Sequence, residues 1–347
     1  MGRNLKLKKE SDFEFTKNHK RLLLGSVFLM ATSAIGPAFL TQTAVFTSQF
    51  FASFAFAILL SIIIDIGAQI NIWRILVVTG LRGQEISNKV VPGLGTVISI
   101  LIAFGGLAFN IGNIAGAGLG LNAIFGLDVK WGAAITAIFA ILIFVSKSGQ
   151  KIMDVVSMIL GIVMILVVAY VMFVSNPPYG DAFVHTFAPE HPMKLVLPII
   201  TLVGGTVGGY ITFAGAHRIL DSGIKGKQYL PFVNQSAIGS AYTSATFLKT
   251  LHKSLNERSN LIVIVFIVIS TMIFLFIGKP ISLLIIAGAI NGWILPITLG
   301  AILIASKKKS IVGDYKHPNW MFIFGIVAVL VTILTGIFSF KEVLQLF

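Results

Sequence analysis

The sequence has no cysteine and few charged residues. None of its 347 residues is cysteine, and Asp, Glu, Lys and Arg together make up 11%. The absence of cysteine excludes disulfides, thiolate metal sites and cysteine nucleophiles. Hydrophobic residues reach 56% and the mean hydropathy is +0.93, which is not the composition of a soluble domain. The composition therefore predicts an all-α, polytopic helical membrane protein whose main partner is the lipid bilayer.

Acidic residues are half as frequent as basic ones. The chain has 13 Asp and Glu against 26 Lys and Arg, which gives a formal net charge of +13. The basic residues concentrate in the segments between long apolar runs, where they set membrane topology and contact lipid headgroups. The charge therefore indicates cytoplasmic loops, and we expect no nucleic-acid partner.

The motifs of several enzyme classes are also missing. The sequence has no nucleophile elbow, P-loop, HExxH metal motif or dinucleotide fingerprint. We therefore expect a protein that is not an enzyme and that needs no cofactor.

Apolar runs long enough to cross a bilayer recur along the chain. A helix needs about 20 apolar residues to span the hydrocarbon, and this criterion gives nine predicted spans: 22–45, 50–73, 94–124, 131–146, 152–174, 194–216, 260–278, 281–305 and 320–340. We interpret residues 1–347 as a single transmembrane domain with four parts: a cytoplasmic leader (1–21), a first five-helix repeat (22–174), an incomplete second repeat (194–305) and a final helix (320–340).

Lysine and arginine predict the orientation of these spans. The leader holds seven of them, whereas residues 175–192 hold none. Because cytoplasmic loops retain basic residues, the N-terminus is predicted inside and the C-terminus outside, in a bacterial plasma (inner) membrane. The stretch 218–258 is polar and basic at both ends, so both of its ends are expected in the cytoplasm.

Two predicted spans contain helix-breaking residues. The first has Gly36-Pro37 before a polar run, and the sixth reads Gly204-Gly205-Thr206-Val207-Gly208-Gly209-Tyr210. Breaks at corresponding positions of two repeats point to a transporter's midplane site, although small residues also simply allow close helix packing. The predicted solute-contact residues are Thr43, Thr47, Gln49, Thr206, Gly208, Gly209 and Tyr210, with backbone carbonyls contributing at Gly208 and Gly209.

Polar residues at depth in other spans are candidates for a coupling or water pathway. Asp65 lies in the second span, toward its cytoplasmic end, with Arg74 in the loop that follows; Asn110 and Asn113 lie in the third. A carboxylate in hydrocarbon is costly and suggests a functional role, here with a proton or sodium ion. For the asparagines, bonding to a neighbouring helix is an equal alternative.

Three further features have plainer interpretations. Glycines 112, 116 and 120 are spaced by four, which predicts a helix-packing face. An external metal site from Asp181, His185, Glu190 and His191 is disfavoured by their irregular spacing. His217 is predicted to be an interfacial anchor at the cytoplasmic end of the sixth span.

The order of motifs resembles the NRAMP family of divalent-metal transporters, which have the LeuT-type inverted-repeat fold. The segments that carry the resemblance are Gly36–Leu40, Ala108–Asn113, Leu121–Gly126 and Gly205–Val207. The resemblance extends over most of the chain. It implies a secondary transporter, a metal-ion symporter at the level of the family.

The sequence departs from the family at the residues that carry the chemistry. Thr47–Phe50 stand where the family has Asp-Pro-Gly-Asn, and Gly208–Tyr210 stand where it has Met-Pro-His. Asn110 and Asn113 replace an acidic pair associated with proton movement. The pocket is thus predicted to offer neutral hydroxyls, amides and backbone, which also suits a small organic acid or amino-acid-like solute. An uncoupled cation channel is a further alternative.

The chain is also shorter than the family pattern. Residues 237–240 run directly into a segment that resembles the end of an eighth helix, as though about two helices were missing at a junction near Ser240 and Ala241. A site would persist, but alternating access needs both repeats. A transport-inactive shortened form is therefore another interpretation.

Overall fold

The fold is described from a computed structural model that covers residues 37–145, 149–208, 211–221, 223–231, 233–234 and 259–345. This part of the chain consists of helices joined by short connections and contains no β-strand. The helices are α1 (Pro37–Phe50), α2 (Phe54–Thr79), α3 (Gly83–Val90), α4 (Leu94–Phe125), α5 (Val129–Val145), α6 (Gly149–Val174), α7 (Tyr179–Phe187), α8 (Val196–Thr206), α9 (Ile211–Asp221), α10 (Ser259–Ile277), α11 (Pro280–Lys307), α12 (Lys309–Val312) and α13 (Asn319–Leu344).

Several of these helices suit a membrane. Four helical stretches among the described residues are long and apolar enough to cross one: Leu40–Thr79, Leu94–Phe125, Pro280–Lys307 and Asn319–Leu344. The first of these stretches combines α1, a short 3-10 turn (Phe51–Ser53) and α2. Shorter apolar helices occur at Val129–Val145, Pro192–Thr206 and Ile264–Ile277. The predicted helical membrane architecture is confirmed.

The second predicted span is longer than the sequence indicated. The run of apolar residues predicted that this span ends at residue 73, but α2 continues to Thr79. Gly80 then closes the helix: its φ is +66°, and its N–H bonds the Leu76 carbonyl. Asp65 sits near the middle of this 26-residue helix. Arg74, expected in the following loop, lies inside the helix and is buried. Its guanidinium donates hydrogen bonds to Tyr315 and Asn234.

Glycines allow α8 and α11 to cross with their backbones in contact. A Cβ atom on Gly204 would overlap the Gly288 carbonyl oxygen, and one on Gly292 would overlap the Ile200 carbonyl oxygen. Small residues permit this approach, since membrane helices associate by close packing. The α8–α11 crossing lies at the centre of the described helices and fixes the position of the end of α8.

The sixth predicted span is interrupted, as expected. Helix α8 ends at Thr206, and the N–H groups of Val207 and Gly208 both bond to the Val203 carbonyl, at 2.9 and 2.8 Å. Two hydrogen bonds to one carbonyl close the end of the helix. Residues 209 and 210 lie outside the described part, and a new helix begins at Ile211.

The first predicted span is regular where it is described. The polar run after Pro37 is helical as far as Phe50, and the irregular backbone comes later, at Phe51 with a φ of +47°. The break predicted at Gly36-Pro37 lies at the edge of the described residues, which begin at Pro37, and stays a prediction. The polar side chains of this run leave the backbone hydrogen bonds of the helix intact. Gln42 bonds another helix, and Thr47 and Gln49 are exposed.

Residues 175–192, expected as an external loop, contain a short helix. Helix α7 occupies Tyr179–Phe187, and His185 and Glu190 approach to 3.5 Å. The described residues contain no group of three or more His, Cys, Asp or Glu that could hold a metal ion. Asp181, Glu190 and His191 are exposed, and His185 is half-buried.

Candidate functional site

The candidate site surrounds the last turn of α8, where the sixth span is interrupted. Helix α8 packs against α1, α2, α11 and α13. The residues that face its end belong to α1 and α2 in the first repeat and to α11 in the second. The interruption thus lies where the two repeats meet, as a site in an inverted-repeat transporter is expected to.

Gln42 on α1 reaches this end of α8 with a fixed orientation. Its side chain is fully buried, and Nε2 donates a 2.6 Å hydrogen bond to the Leu284 carbonyl of α11. This bond directs the other amide atom, Oε1, toward Gly205, where the position of a Cβ atom lies 3.6 Å away. Oε1 is buried and has no hydrogen-bond partner among the described residues. The sequence analysis noted the polar run around Gln42 but did not select this residue.

Asp65 on α2 lies beside the final residue of α8. Its carboxyl group lies within reach of the Thr206 hydroxyl, which donates its one proton within α8, to the Leu202 carbonyl at 2.9 Å. Asp65 is 6% exposed, and its Oδ1 has no partner in the described structure. The structure thus brings together two predicted residues, one from the solute-contact set and one from the pathway set.

The remaining predicted residues of α1 divide into two groups. Thr43 is half-buried, and its Oγ1 is shielded from solvent without a partner among the residues described. Thr47 and Gln49 are exposed, and the neighbouring Ser48 bonds the Val45 carbonyl of its own helix at 2.7 Å. Thr43 thus lies in the interior, whereas Thr47 and Gln49 lie on an outer surface of the described helices.

Gly208 has a packing role. A Cβ atom there would come within 2.7 Å of the backbone carbonyl of Asn291 on α11. The predicted contact residues Gly209 and Tyr210 lie outside the described residues. Among the described glycines of this span, Gly205 opens toward a side-chain amide, because Gln42 Oε1 is its one described neighbour within 4 Å of the Cβ position.

The pathway residues of α4 have different environments. Asn110 donates a 3.0 Å hydrogen bond to the Ser270 hydroxyl of α10, which matches the helix-bonding alternative. Asn113 has a buried Oδ1 with no partner in the described part of the chain. The predicted glycine face is used in part: Gly112 packs against Leu284, whereas Gly120 has open space around it.

A second buried amide was not predicted. Asn291 on α11 donates to the Gly105 carbonyl of α4 at 2.9 Å and to the Ala287 carbonyl at 3.0 Å, so it joins two helices. Its Oδ1 presses against Gly105 and has no hydrogen-bond partner among the described residues. The only sequence signal was one asparagine inside the apolar run 281–305.

Beyond the site, contacts join α9 to the α2–α3 connection. His217 is fully buried, and its Nε2 accepts a 3.1 Å hydrogen bond from the Gly83 N–H. The prediction of an interfacial anchor was therefore wrong, because the start of α3 covers this imidazole. Nearby, Arg82 and Asp221 form a 2.8 Å ion pair at the surface.

Comparison with known proteins places this geometry in context. The membrane protein YcsG of Bacillus subtilis, an uncharacterized protein, is 47% identical over 380 positions that cover 92% of this chain and 94% of YcsG. The divalent metal cation transporter MntH of Caldanaerobacter subterraneus is 25% identical over 215 residues, 57% of this chain and 50% of that protein.

The solved structures and the family model agree. A crystal structure of the Eremococcus coleocola manganese transporter matches with a TM-score of 0.65 at 16% identity, covering 95% of this chain and 88% of that one. This likeness shows that the fold is the LeuT-type fold of such transporters. The model of the natural resistance-associated macrophage protein-like (Nramp) family matches residues 27–233 and 233–341. The chain therefore belongs to the Nramp family of integral membrane proteins.

Proposed function

We propose that this protein is a membrane transporter of metal ions whose binding site lies between α1, α2 and the interrupted helix pair α8–α9. Metal ion transport is the activity that the family supports. The observation that carries the proposal is the set of buried oxygens without partners among the described residues: Gln42 Oε1 and Asp65 Oδ1 beside the interruption, and Thr43 Oγ1 on the residue that follows Gln42 in α1. Buried polar atoms are normally hydrogen-bonded, so a group of unsatisfied ones at a helix break indicates a ligand or water.

The contact residues of the proposed site follow from the geometry and from the sequence. Gln42, Thr43 and Thr206 supply side-chain oxygens and Asp65 supplies the charge, while Gly209 and Tyr210 remain predicted contacts. Thr47 and Gln49, on the exposed side of α1, are proposed to line an entry route. Asn113 is proposed to face the pathway and Asn110 to bond α10. Coupling to a proton or a sodium ion and the bacterial plasma-membrane placement remain part of the proposal.

A second candidate, a transport-inactive shortened form, is favoured by the alignment with YcsG. The 380 aligned positions contain 92% of this 347-residue chain, about 319 residues, so YcsG has about 60 residues there that this chain lacks. The family model also divides at residue 233. Both observations support the loss of about two helices after α9. The predicted junction near Ser240 and Ala241 lies outside the described residues.

Uptake by the purified, reconstituted protein tests both candidates. Proteoliposomes would be given Mn²⁺, Mg²⁺, or small carboxylic and amino acids, and a second protein would carry the corresponding YcsG residues inserted after Ser240. Saturable metal uptake that Thr43→Ala reduces and Ser48→Ala leaves unchanged is the result expected for an active transporter.

The other outcomes separate the candidates. Metal uptake by the lengthened protein alone would support the inactive shortened form. Uptake of organic acids without metal uptake would refute metal transport in favour of the organic-solute alternative. Unsaturable flux would indicate a channel.

A further inference from the structure

We propose that the last turn of α8 carries a cation subsite built only from oxygen atoms, which prefers hard divalent cations such as Mg²⁺ to soft ones such as Cd²⁺. The subsite consists of Gln42 Oε1, the Asp65 carboxylate and the end of α8 at Gly205 and Thr206. This inference rests on the proposed function, since it names the substrate class of the same site.

The orientation of Gln42 decides what this residue offers. An amide can present either donors or an acceptor to a ligand. Here the Nε2 atom is held by the 2.6 Å bond to the Leu284 carbonyl, so only Oε1 is left for a ligand at Gly205. Because the residue is fully buried, turning the amide over would place two acceptor oxygens against each other. Gln42 therefore presents an acceptor.

Asp65 adds a carboxylate at the same helix turn, beside Thr206. No lysine, arginine or histidine among the described residues forms an ion pair with it. The nearest ionisable residue on α2 is Arg74, nine positions away or about 13 Å along the helix, and Arg74 bonds Tyr315 and Asn234 instead. A buried, unpaired carboxylate is costly, and a cation at the free Oδ1 removes that cost.

The end of α8 strengthens the preference for positive charge. A helix C-terminus carries a partial negative charge and free carbonyl groups, and α8 ends at Thr206, where Gln42 approaches Gly205 and Asp65 approaches Thr206. An anionic carboxylate solute would meet a like charge and acceptor oxygens there. The arrangement of acceptors thus favours a cation over the organic acid considered from the sequence.

The type of cation follows from the ligand atoms. Soft cations prefer thiolate or thioether ligands, whereas carboxylate, carbonyl and water suit Mg²⁺, Ca²⁺ and Mn²⁺. The chain has no cysteine, and the unpartnered side-chain atoms beside the end of α8, Gln42 Oε1 and Asp65 Oδ1, are oxygens. Mg²⁺ is commonly held by one or two carboxylates while it keeps several waters. A single carboxylate with one amide oxygen fits that pattern.

A glycine substitution provides a sharp test. In Gly205→Ala the new methyl group meets a single atom within 4 Å, Gln42 Oε1 at 3.6 Å. The methyl group fits and favours the helix, but it covers the oxygen that faces the ligand. Gly120→Ala is the matched control, because nothing lies within 4 Å of its Cβ position. Asp65→Asn removes the charge while keeping the shape.

Isothermal titration calorimetry on the purified full chain in detergent, with Mg²⁺ or Cd²⁺ alone as ligand, measures the effect. The wild-type protein is expected to bind Mg²⁺ at least about tenfold more tightly than Cd²⁺. Gly205→Ala and Asp65→Asn are each expected to weaken Mg²⁺ binding by about tenfold or more, with Gly120→Ala unchanged. Thermal unfolding of each variant verifies that it is folded.

Two results would overturn the subsite: tighter binding of Cd²⁺ than of Mg²⁺, or unchanged Mg²⁺ binding in folded Gly205→Ala and Asp65→Asn. The same two variants distinguish a failure of the subsite from a failure of transport. Mg²⁺ binding that both substitutions weaken, without uptake into liposomes, supports the subsite and refutes transport by this chain. Metal uptake that neither substitution alters refutes the subsite and leaves transport standing.

Discussion

Acidification is expected to destabilise this protein through His317, a buried histidine between α12 and α13. Its Nε2 lies 2.7 Å from Asn71 Oδ1, and the Asn71 amide nitrogen already donates to the carbonyls of Gly67 and Met321. Nε2 must therefore be the donor in this bond. The other ring nitrogen, Nδ1, lies 3.2 Å from the Tyr315 hydroxyl and accepts its proton. The network thus requires a neutral imidazole.

Positive charge nearby makes protonation of this ring still less favourable. The Arg74 Nε–H donates to the Tyr315 oxygen at 2.9 Å, so a proton on His317 Nδ1 would place a second donor against the same oxygen. Burial, together with the charges of Arg74 and Lys307, lowers the pKa of His317 from 6.5 to about 4.

The size and sign of the effect follow from proton linkage. The unfolded chain binds a proton at this histidine near pH 6.5, whereas the folded protein binds it only near pH 4. The contribution of His317 to folding is therefore complete above pH 6.5 and declines as the pH falls toward 4. The loss amounts to about 2 to 3 kcal/mol, allowing for partial solvent screening.

Unfolding of the purified protein in detergent, measured between pH 7.5 and pH 4, tests this reasoning. The His317→Gln variant is the control, because its amide can donate to Asn71 and accept from Tyr315 without titrating. The unfolding midpoint of the wild-type protein is expected to fall more steeply with acidification than that of the variant. Equal pH dependence of the two proteins would refute the assignment of this effect to His317.

Two further substitutions test the α8–α11 crossing and the ion pair between Arg82 and Asp221. Gly204→Ala is expected to cost at least about 3 kcal/mol of stability, because its methyl group would overlap the Gly288 carbonyl and push α8 away from α11. Gly120→Ala is the control. Equal unfolding midpoints of the two variants would contradict the close crossing of α8 and α11. Arg82→Ala removes a 2.8 Å ion pair with Asp221, in which both side chains are partly exposed. The loss of stability is therefore expected to be under about 1 kcal/mol in the same unfolding assay. A larger loss of stability would mean that the pair is shielded from solvent.

The interruption of the sixth span could be predicted because its cause is local. Several glycines in one apolar run weaken a helix wherever that run is placed, and α8 does end at Thr206. The break expected in the first span at Gly36-Pro37 stays a prediction, because the described residues begin at Pro37. The polar run after it is helical from Pro37 to Phe50, so polar side chains alone do not mark a break.

The sequence by itself determined the membrane environment, the helical class and the family resemblance, since these depend on composition, run length and local motifs. Only the tertiary structure decided that Gln42 presents its oxygen, because a carbonyl 242 positions away holds its nitrogen. It also decided that Asp65 lies at mid-helix beside Thr206 and that Arg74 is buried with Tyr315. The orientation of a polar side chain in an apolar interior depends on the partners that packing brings to it, and those partners lie far away along the chain.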